Sequence, residues 1–285
     1  MQEIAAHVFI ETAFPGVTLG AINTPHGLIL IDAPLRAEDT RSWRSALLNL
    51  SGGVERLLIN LDAHFDRTLG ARAMDCSIVS HEKVAQIFRN RPITFKTQGA
   101  ETGAEWELYN NLGSIRWAPP EITFTEEMTI HWGGNPIRLE YRPGASVGAL
   151  WLNLPEEHVL FIGDAVVPDQ PPYLAGADVP VWIETLRRLL SEQFQNHTLV
   201  SGRGGLITQA QVRAQLAYLE RVRQRIDGLV ENGARVEDTE ALIAPLMQDF
   251  SPAPERRRLY EQRLRWGLRQ YFLRRSYPES IEIEE

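Results

Sequence analysis

Asp62-Ala63-His64-Phe65-Asp66-Arg67 concentrates reactive side chains in one short segment. An imidazole two positions from a carboxylate on either side can work as a general base, and a guanidinium beside it can steady an oxyanion. The same imidazole and acids are ligand types for zinc, iron or manganese. Arginine is not, because it has no lone pair to give and stays protonated. The plainer reading is that His64 only hydrogen-bonds a neighbouring carboxylate and supports the fold. Other nucleophiles are scarce. Ser146 follows a Gly/Pro loop with no evident base in sequence. Cys76 is the sole cysteine, which excludes an internal disulfide and a thiolate zinc cluster; in the run Asp75–Val79 it reads as a buried strand residue. His7, His26, His81, His131, His158 and His197 fall in the opening strands, at turns, at strand edges or at a helix start, and read as structural.

The elements around this segment alternate. His7–Glu11, Val17–Ile22 and Gly27–Asp32 read as strands of an opening meander. A helix is expected from Glu38 to Leu50, stopped by Ser51-Gly52-Gly53, and a buried strand at Arg56–Leu61 leads straight into Asp62. From about Arg89 to Pro120 the chain is irregular, with a short helix expected at Glu105–Asn111; such inserts often border pockets. Strands resume at Ile137–Tyr141, Gly148–Leu152 and His158–Ile162. A helix follows at Val181–Leu190, then a short strand at Leu199-Val200. Thr208 and Gln211 form a capping-box pattern ahead of a helix striped by Val212, Leu216, Leu219, Val222, Ile226 and Leu229. Helices at Thr239–Met247 and Pro254–Phe272 complete the chain.

The whole is 285 residues, enough for one large α/β domain. Its hydrophobic share of 44% and charged share of 23% are those of ordinary globular proteins. No apolar run reaches the ~18 residues of a membrane span, and Met1-Gln2-Glu3-Ile4 lacks the basic start of a signal peptide, so the expectation is a cytoplasmic protein without membrane contact. A formal charge of −8 excludes general nucleic-acid binding by the whole surface. Arg256, Arg257, Arg258, Arg263, Arg265, Arg269, Arg274 and Arg275 nevertheless crowd the C-terminal segment. Either they bind an anionic partner such as nucleic acid, or they pair with acids and face solvent while Leu264, Leu268 and Phe272 dock on the domain or a second subunit; the complete apolar stripe and the acidic tail Glu279–Glu285 favour docking.

Five segments in order resemble the metallo-β-lactamase superfamily. Leu30-Ile31-Asp32-Ala33-Pro34 is close to its LIDTG. Asp62-Ala63-His64-Phe65-Asp66-Arg67 stands where it carries His-x-His-x-Asp-His. Arg142-Pro143-Gly144-Ala145-Ser146-Val147-Gly148 matches Thr-Pro-Gly-His-Ser-x-Gly. Leu154–Asp164 is close to LPEEKVLFTGD, and Val200–Gly205 matches Pro-Gly-His-Gly. The resemblance implies a four-layer αββα sandwich spanning residues 1–235, with residues 236–285 as a helical extension packed on the domain or on a partner subunit, a homodimer being one form of the latter.

It also implies where two metal ions would bind, and there the sequence departs. The ligand places of the first ion fall on Asp62, His64 and Ala145, those of the second on Asp66, Arg67 and Arg203, with Asp164 as the bridging carboxylate. Of five family histidines only His64 is left. Removing a dication would leave Asp66 and Asp164 without counter-charge, which two arginines could restore with bidentate hydrogen bonds. The expectation is a salt-bridged pocket of Asp62, Asp66, Asp164, Arg67 and Arg203, with no metal cofactor, in a non-metal binding or structural protein; its arginines would suit an anionic small molecule. Two alternatives stand beside it: a hydrolase holding a single zinc, iron or manganese ion at Asp62, His64 and Asp164, and a protein associated with an anionic partner or nucleic acid through its last helix. If it is an enzyme, His64 and Asp66 are the expected catalytic pair.

Overall fold

A computed structural model describes residues 1–50, 53–95, 101–110, 112 and 115–277. Ser51, Gly52 and Asn111, which bear on two expected helix ends, and the acidic tail lie outside the described residues. Seven strands form the first sheet in chain order: β1 Gln2–Ala5, β2 Val8–Glu11, β3 Leu19–Asn23, β4 Gly27–Ile31, β5 Glu55–Ile59, β6 Ser77–His81 and β7 Ile122–Phe124. β1 to β4 pair antiparallel; β4 to β7 run parallel. The second sheet holds β8 Glu127–Ile130, β9 Ile137–Tyr141, β10 Leu150–Leu154, β11 Val159–Phe161, β12 Thr198–Ser201 and β13 Gly205–Ile207, again neighbour by neighbour, with β11 and β12 parallel.

Both faces of each sheet are covered, which is why the central strands read as unbroken apolar runs. Side chains alternate along a strand. In β4, Ile29 and Ile31 join Leu57 and Ile59 of β5 in a core shared with Leu150, Leu152 and Leu154 of β10, so the two sheets pack face to face. Leu28, Leu30 and Leu58 point the other way, onto Trp43 and Leu47 of helix α1 (Ala37–Leu47). On the far side, Trp151, Leu160 and Leu199 meet three helices: α4 Val179–Leu189, α5 Gln209–Glu231 and α7 Pro254–Ser276. The result is an αββα sandwich. In chain order between these come the single-turn α2 (Phe65–Thr68), α3 (Glu82–Asn90) and α6 (Ile243–Met247).

Several local expectations shift. The strand expected at Asp75–Val79 starts at Ser77, because Asp75 takes a left-handed conformation at φ 57 that breaks the extended run, and Cys76 is half-buried, not a core residue. The helix expected at Glu105–Asn111 is a 3₁₀ turn, Glu105–Leu108. Thr239–Met247 divides into a 3₁₀ stretch, Val236–Leu242, and α6. β1, β7, β8 and β13 were not expected; they are short strands of three or four residues, most with exposed positions. The Thr208/Gln211 capping box closes with both reciprocal bonds.

Helix α7 shares one continuous core with α4 and α5 through Leu264, Leu268, Tyr271 and Phe272. Its arginines are mostly engaged with acids or carbonyls: Arg256 with Glu105, Arg257 with Glu261, Arg265 with Glu240, Arg275 with Asp227, and Arg274 with the carbonyls of Leu174, Ala175 and Ala177. No helix among the described residues is long and apolar enough to cross a membrane.

Candidate functional site

Asp32 follows β4, Asp62 follows β5, Asp164 follows β11 and Arg203 follows β12, so the carboxyl ends of the parallel strands deliver four charged groups to one edge of the sandwich. That edge is where open parallel sheets ordinarily place ligands. The turn after β5 supplies His64, which starts α2, and α2 itself supplies Asp66 and Arg67.

Arg67 is fully buried. Its Nη1 donates to Asp32 Oδ2 at 3.1 Å, its Nη2 to Asp164 Oδ1, and its Nε lies 3.1 Å from Asp62 Oδ1. Arg203 donates from Nε to Asp164 Oδ2 at 2.8 Å, and from Nη1 to Asp66 Oδ2 at 2.7 Å and to the Gly16 carbonyl at 3.0 Å. The remaining carboxylate oxygens face other nitrogens. Leu61 N–H serves Asp32 Oδ1 at 2.9 Å, Trp106 N–H serves Asp66 Oδ1 at 3.0 Å, and His64 Nδ1 lies 3.0 Å from Asp62 Oδ2 and 3.7 Å from Asp164 Oδ2. Gly202 is the one residue type that fits beside this cluster, since a Cβ there would stand 2.7 Å from Arg67 Nη1 and 3.0 Å from Asp164 Oδ1.

The structure thus brings together all six residues singled out in sequence: Asp62, His64, Asp66, Arg67, Asp164 and Arg203. The carboxylate beside the imidazole is Asp62; Asp66 is turned to Arg203 and Trp106. Asp32, which in sequence belongs to a strand motif with no predicted site role, is a full member, with no exposed surface and a left-handed φ of 58. The signal was an acid ending an otherwise apolar strand. The ring of Tyr173 lies under the guanidinium of Arg203 at 4.4 Å and that of Arg263 at 4.0 Å. Trp182 packs in the core and donates its ring N–H to the Ala165 carbonyl.

Burial opposes ionisation throughout, and the arginines decide the outcome. For Asp62, Arg67 and then His64 outweigh burial and hold the carboxyl well below the usual range. For Asp164, Arg203 and Arg67 do the same. For Asp32, burial wins and pushes the carboxyl up to about 7, because one guanidinium is shared among three acids and Asp62 adds repulsion. Burial likewise pushes the Tyr173 phenol up to about 12.

The Asp32 shift has a pH signature. An unfolded aspartate loses its proton near 3.9, the folded one only near 7, so the unfolded state ionises first and stability falls as pH rises through that window. Between pH 5 and pH 8 this contribution is about 2 to 3 kcal/mol. Asp62 and Asp164 act oppositely, losing their contribution only as pH falls below about 4. Asp32→Asn is expected to flatten the decline between pH 5 and 8 in urea unfolding; parallel pH slopes for the two proteins would refute it.

Beside the cluster lies a cavity of about 130 Å³. His64, Asp66 and Tyr173 line it, with Phe65, Trp106 and Trp266 as walls and Arg91 and Arg263 at its sides. Arg67 and Arg203 do not line it; they are spent on the acids.

No protein-family model matches the chain, and no curated protein matches it in sequence. Solved structures do match in shape. A metallo-β-lactamase from Pontibacter korlensis aligns with a TM-score of 0.62 at 20% identity, covering 77% of this chain and 97% of its own. A metallo-β-lactamase family protein from Thermus thermophilus aligns over 97% of this chain and 95% of its own, with a TM-score of 0.64 and 16% identity. The chain has the metallo-β-lactamase fold. A stereoselective inverting sec-alkylsulfatase from Pseudomonas sp. aligns at 0.67 and 14% identity over 95% of this chain; the chain spans 49% of that longer protein. The metallo-β-lactamase fold therefore accommodates nearly the whole length, C-terminal helices included, in two of these three comparisons.

Proposed function

We propose that this chain uses the metallo-β-lactamase fold as a metal-free small-molecule-binding protein, with Arg67 and Arg203 carrying the positive charge that the resemblance assigns to metal ions. One observation carries the reading: every oxygen of Asp32, Asp62, Asp66 and Asp164 has a nitrogen within 3.1 Å, and two guanidinium groups supply half of them. A pair of ions does not fit these residues. Arg67 and Arg203 stand in two ligand places, have no lone pair, and repel a dication. What the residues do instead is hold the strand ends together beside the cavity, which Asp66 alone of the cluster's charged groups lines.

A second reading has its own support. The ligand atoms of Asp62, His64 and Asp164 all lie within 4.8 Å of one another, the spacing of a two-carboxylate, one-imidazole site for a single zinc, iron or manganese ion. Against it, the guanidinium of Arg67 already lies on Asp62 and Asp164. Elemental analysis of protein purified without chelators, followed by calorimetric titration with zinc, separates the two. The expected result is no stoichiometric metal and no zinc binding. One bound equivalent that Asp62→Asn abolishes would establish the single-ion hydrolase reading instead.

A further inference from the structure

Arg263 is a buried guanidinium without a buried counter-ion. It is 2% exposed, yet its hydrogen bonds all go to neutral oxygens: Nε to the Gly103 carbonyl at 2.9 Å, and Nη1 to Gln170 Oε1 at 2.7 Å and the Pro171 carbonyl at 3.1 Å. Its Nη2 has no hydrogen-bond partner, and no ion pair joins Arg263 to a carboxylate among the described residues. Rings of Tyr173 and Tyr260 flank it at 4.0 and 5.1 Å. Arg67 and Arg203, the other buried arginines near the site, each have acids on at least two sides. Burying an unmatched charge costs several kcal/mol, so a chain that does so at a cavity wall leaves a favourable place for a negative charge.

Arg263 lines the cavity over His64. The single acid among the lining residues, Asp66, is already matched by Arg203 and the Trp106 N–H. Arg91 adds a second guanidinium to the lining, set among the rings of Phe65, Phe88 and Trp117. Phe65, Trp106, Trp266 and Tyr173 bring four aromatic rings to the wall, with small and aliphatic residues such as Ala104 and Leu174 between them. A volume of about 130 Å³ is close to the roughly 150 Å³ that encloses a benzene ring.

We infer that this cavity binds a small aromatic monocarboxylate, whose ring lies among Phe65, Trp106 and Trp266 and whose charge is matched by Arg263. The inference rests on the metal-free binding reading and gives it a ligand class. One negative charge suits it because one buried positive charge is unmatched. The position is fixed from two sides. Gly103, at φ 75, leaves no room for a Cβ, which would stand 2.3 Å from the Arg263 backbone nitrogen, so the loop carrying Thr102 to Trp106 lies directly on α7. Arg256 to Glu105 and Gln262 to the Glu101 carbonyl tie the same loop to the same helix. The last helix thereby joins the binding site through Arg263, whereas its sequence offered either an anionic partner such as nucleic acid or a solvated, acid-paired face over a docked stripe.

Benzoate is the probe, with benzyl alcohol, benzylamine, acetate and inorganic phosphate beside it, read by tryptophan fluorescence and thermal melting of the full chain with chelator present. Benzoate is expected to raise the melting temperature and quench fluorescence, and the other four to do so far less. Arg263→Gln is expected to weaken benzoate roughly ten- to hundredfold, the loss of one charge-assisted interaction. Equal binding of benzyl alcohol, equal binding of acetate or phosphate, or unchanged affinity in Arg263→Gln would each overturn the assignment. If Arg263→Gln fails to fold, Trp266→Ala keeps the question open to an answer: benzoate affinity must fall there too, and an unchanged affinity overturns it. Failure of benzoate to bind a protein that also takes no zinc overturns this ligand class alone; benzoate binding that appears only with added zinc overturns the metal-free reading.

Discussion

Arg67→Met is expected to lose about 3 to 5 kcal/mol of stability at pH 7.5, the cost of stripping one partner from a buried ion pair. Methionine fills much of the volume with an apolar chain, so the loss measures charge and hydrogen bonding more than a cavity. Three acids lose a donor at once. Asp164 keeps Arg203 and Asp62 keeps His64, but Asp32 is left with the Leu61 N–H alone. Such a loss is a large part of the roughly 5 to 15 kcal/mol that a folded protein has in hand. The sign of its pH dependence is a second check. Asp62 is ionised in the wild type because Arg67 outweighs burial; without Arg67, burial acts unopposed there and raises its carboxyl. The deficit should therefore be largest at neutral pH and shrink as pH falls toward 4, where the acids accept protons. Urea unfolding at several pH values measures this. A loss below about 1 kcal/mol, typical of an exposed pair, would mean that Arg67 does not hold the cluster together.

The cluster was legible because its members lie near sequence landmarks. Asp62 to Arg67 follow a buried strand, Asp164 follows Gly163, and Arg203 sits between glycines; each expectation needed only a strand end and a turn. The central strands were legible for the related reason that burial on both faces writes a continuous apolar run, as in Gly27–Ile31 and Leu150–Leu154. What stayed hidden depends on contacts between distant segments. β7 and β8 are short edge or near-edge pieces whose exposed positions, such as Ile122 and Glu127, blur any alternation. Arg263 looked like one more arginine on a helix with eight. Its spacing of four from Leu259 and again from Gly267, both buried, puts it on the inward stripe, and that periodicity was the available signal. Which loop would cover it, and that no acid would meet it, depends on Gly103 and Gln170, some ninety residues or more away in sequence.

Replacing Asp62, Arg67, Ala145 and Arg203 together with histidine is expected to give a chain that binds two zinc ions where the parent is expected to bind none. The backbone argument favours success. Asp164 sits at the end of β11 and His64 presents Nδ1 3.0 Å from Asp62 Oδ2 and 3.7 Å from Asp164 Oδ2, so the acids and the surviving imidazole already converge on one point. Gly202 keeps the Arg203 turn against that point, and Ala145 is buried. The energetics make the experiment demanding. Without either guanidinium, the zinc-free variant holds Asp32, Asp66 and Asp164 in a buried site with no fixed cation, so it should be unstable or unfolded until metal arrives. Zinc that binds only the folded state then stabilises it by RT ln(1 + [Zn]/Kd), about 4 kcal/mol at a thousandfold excess over Kd. The expected observations are two equivalents of zinc by elemental analysis and a melting temperature that climbs with zinc concentration, while the parent protein shows neither. A variant that folds, as judged by its melting, yet takes no zinc would mean that the strand ends have moved away from metal-binding geometry as well as changing their residues. The arginines would then be fixtures of a reshaped site rather than substitutes standing in an unchanged one.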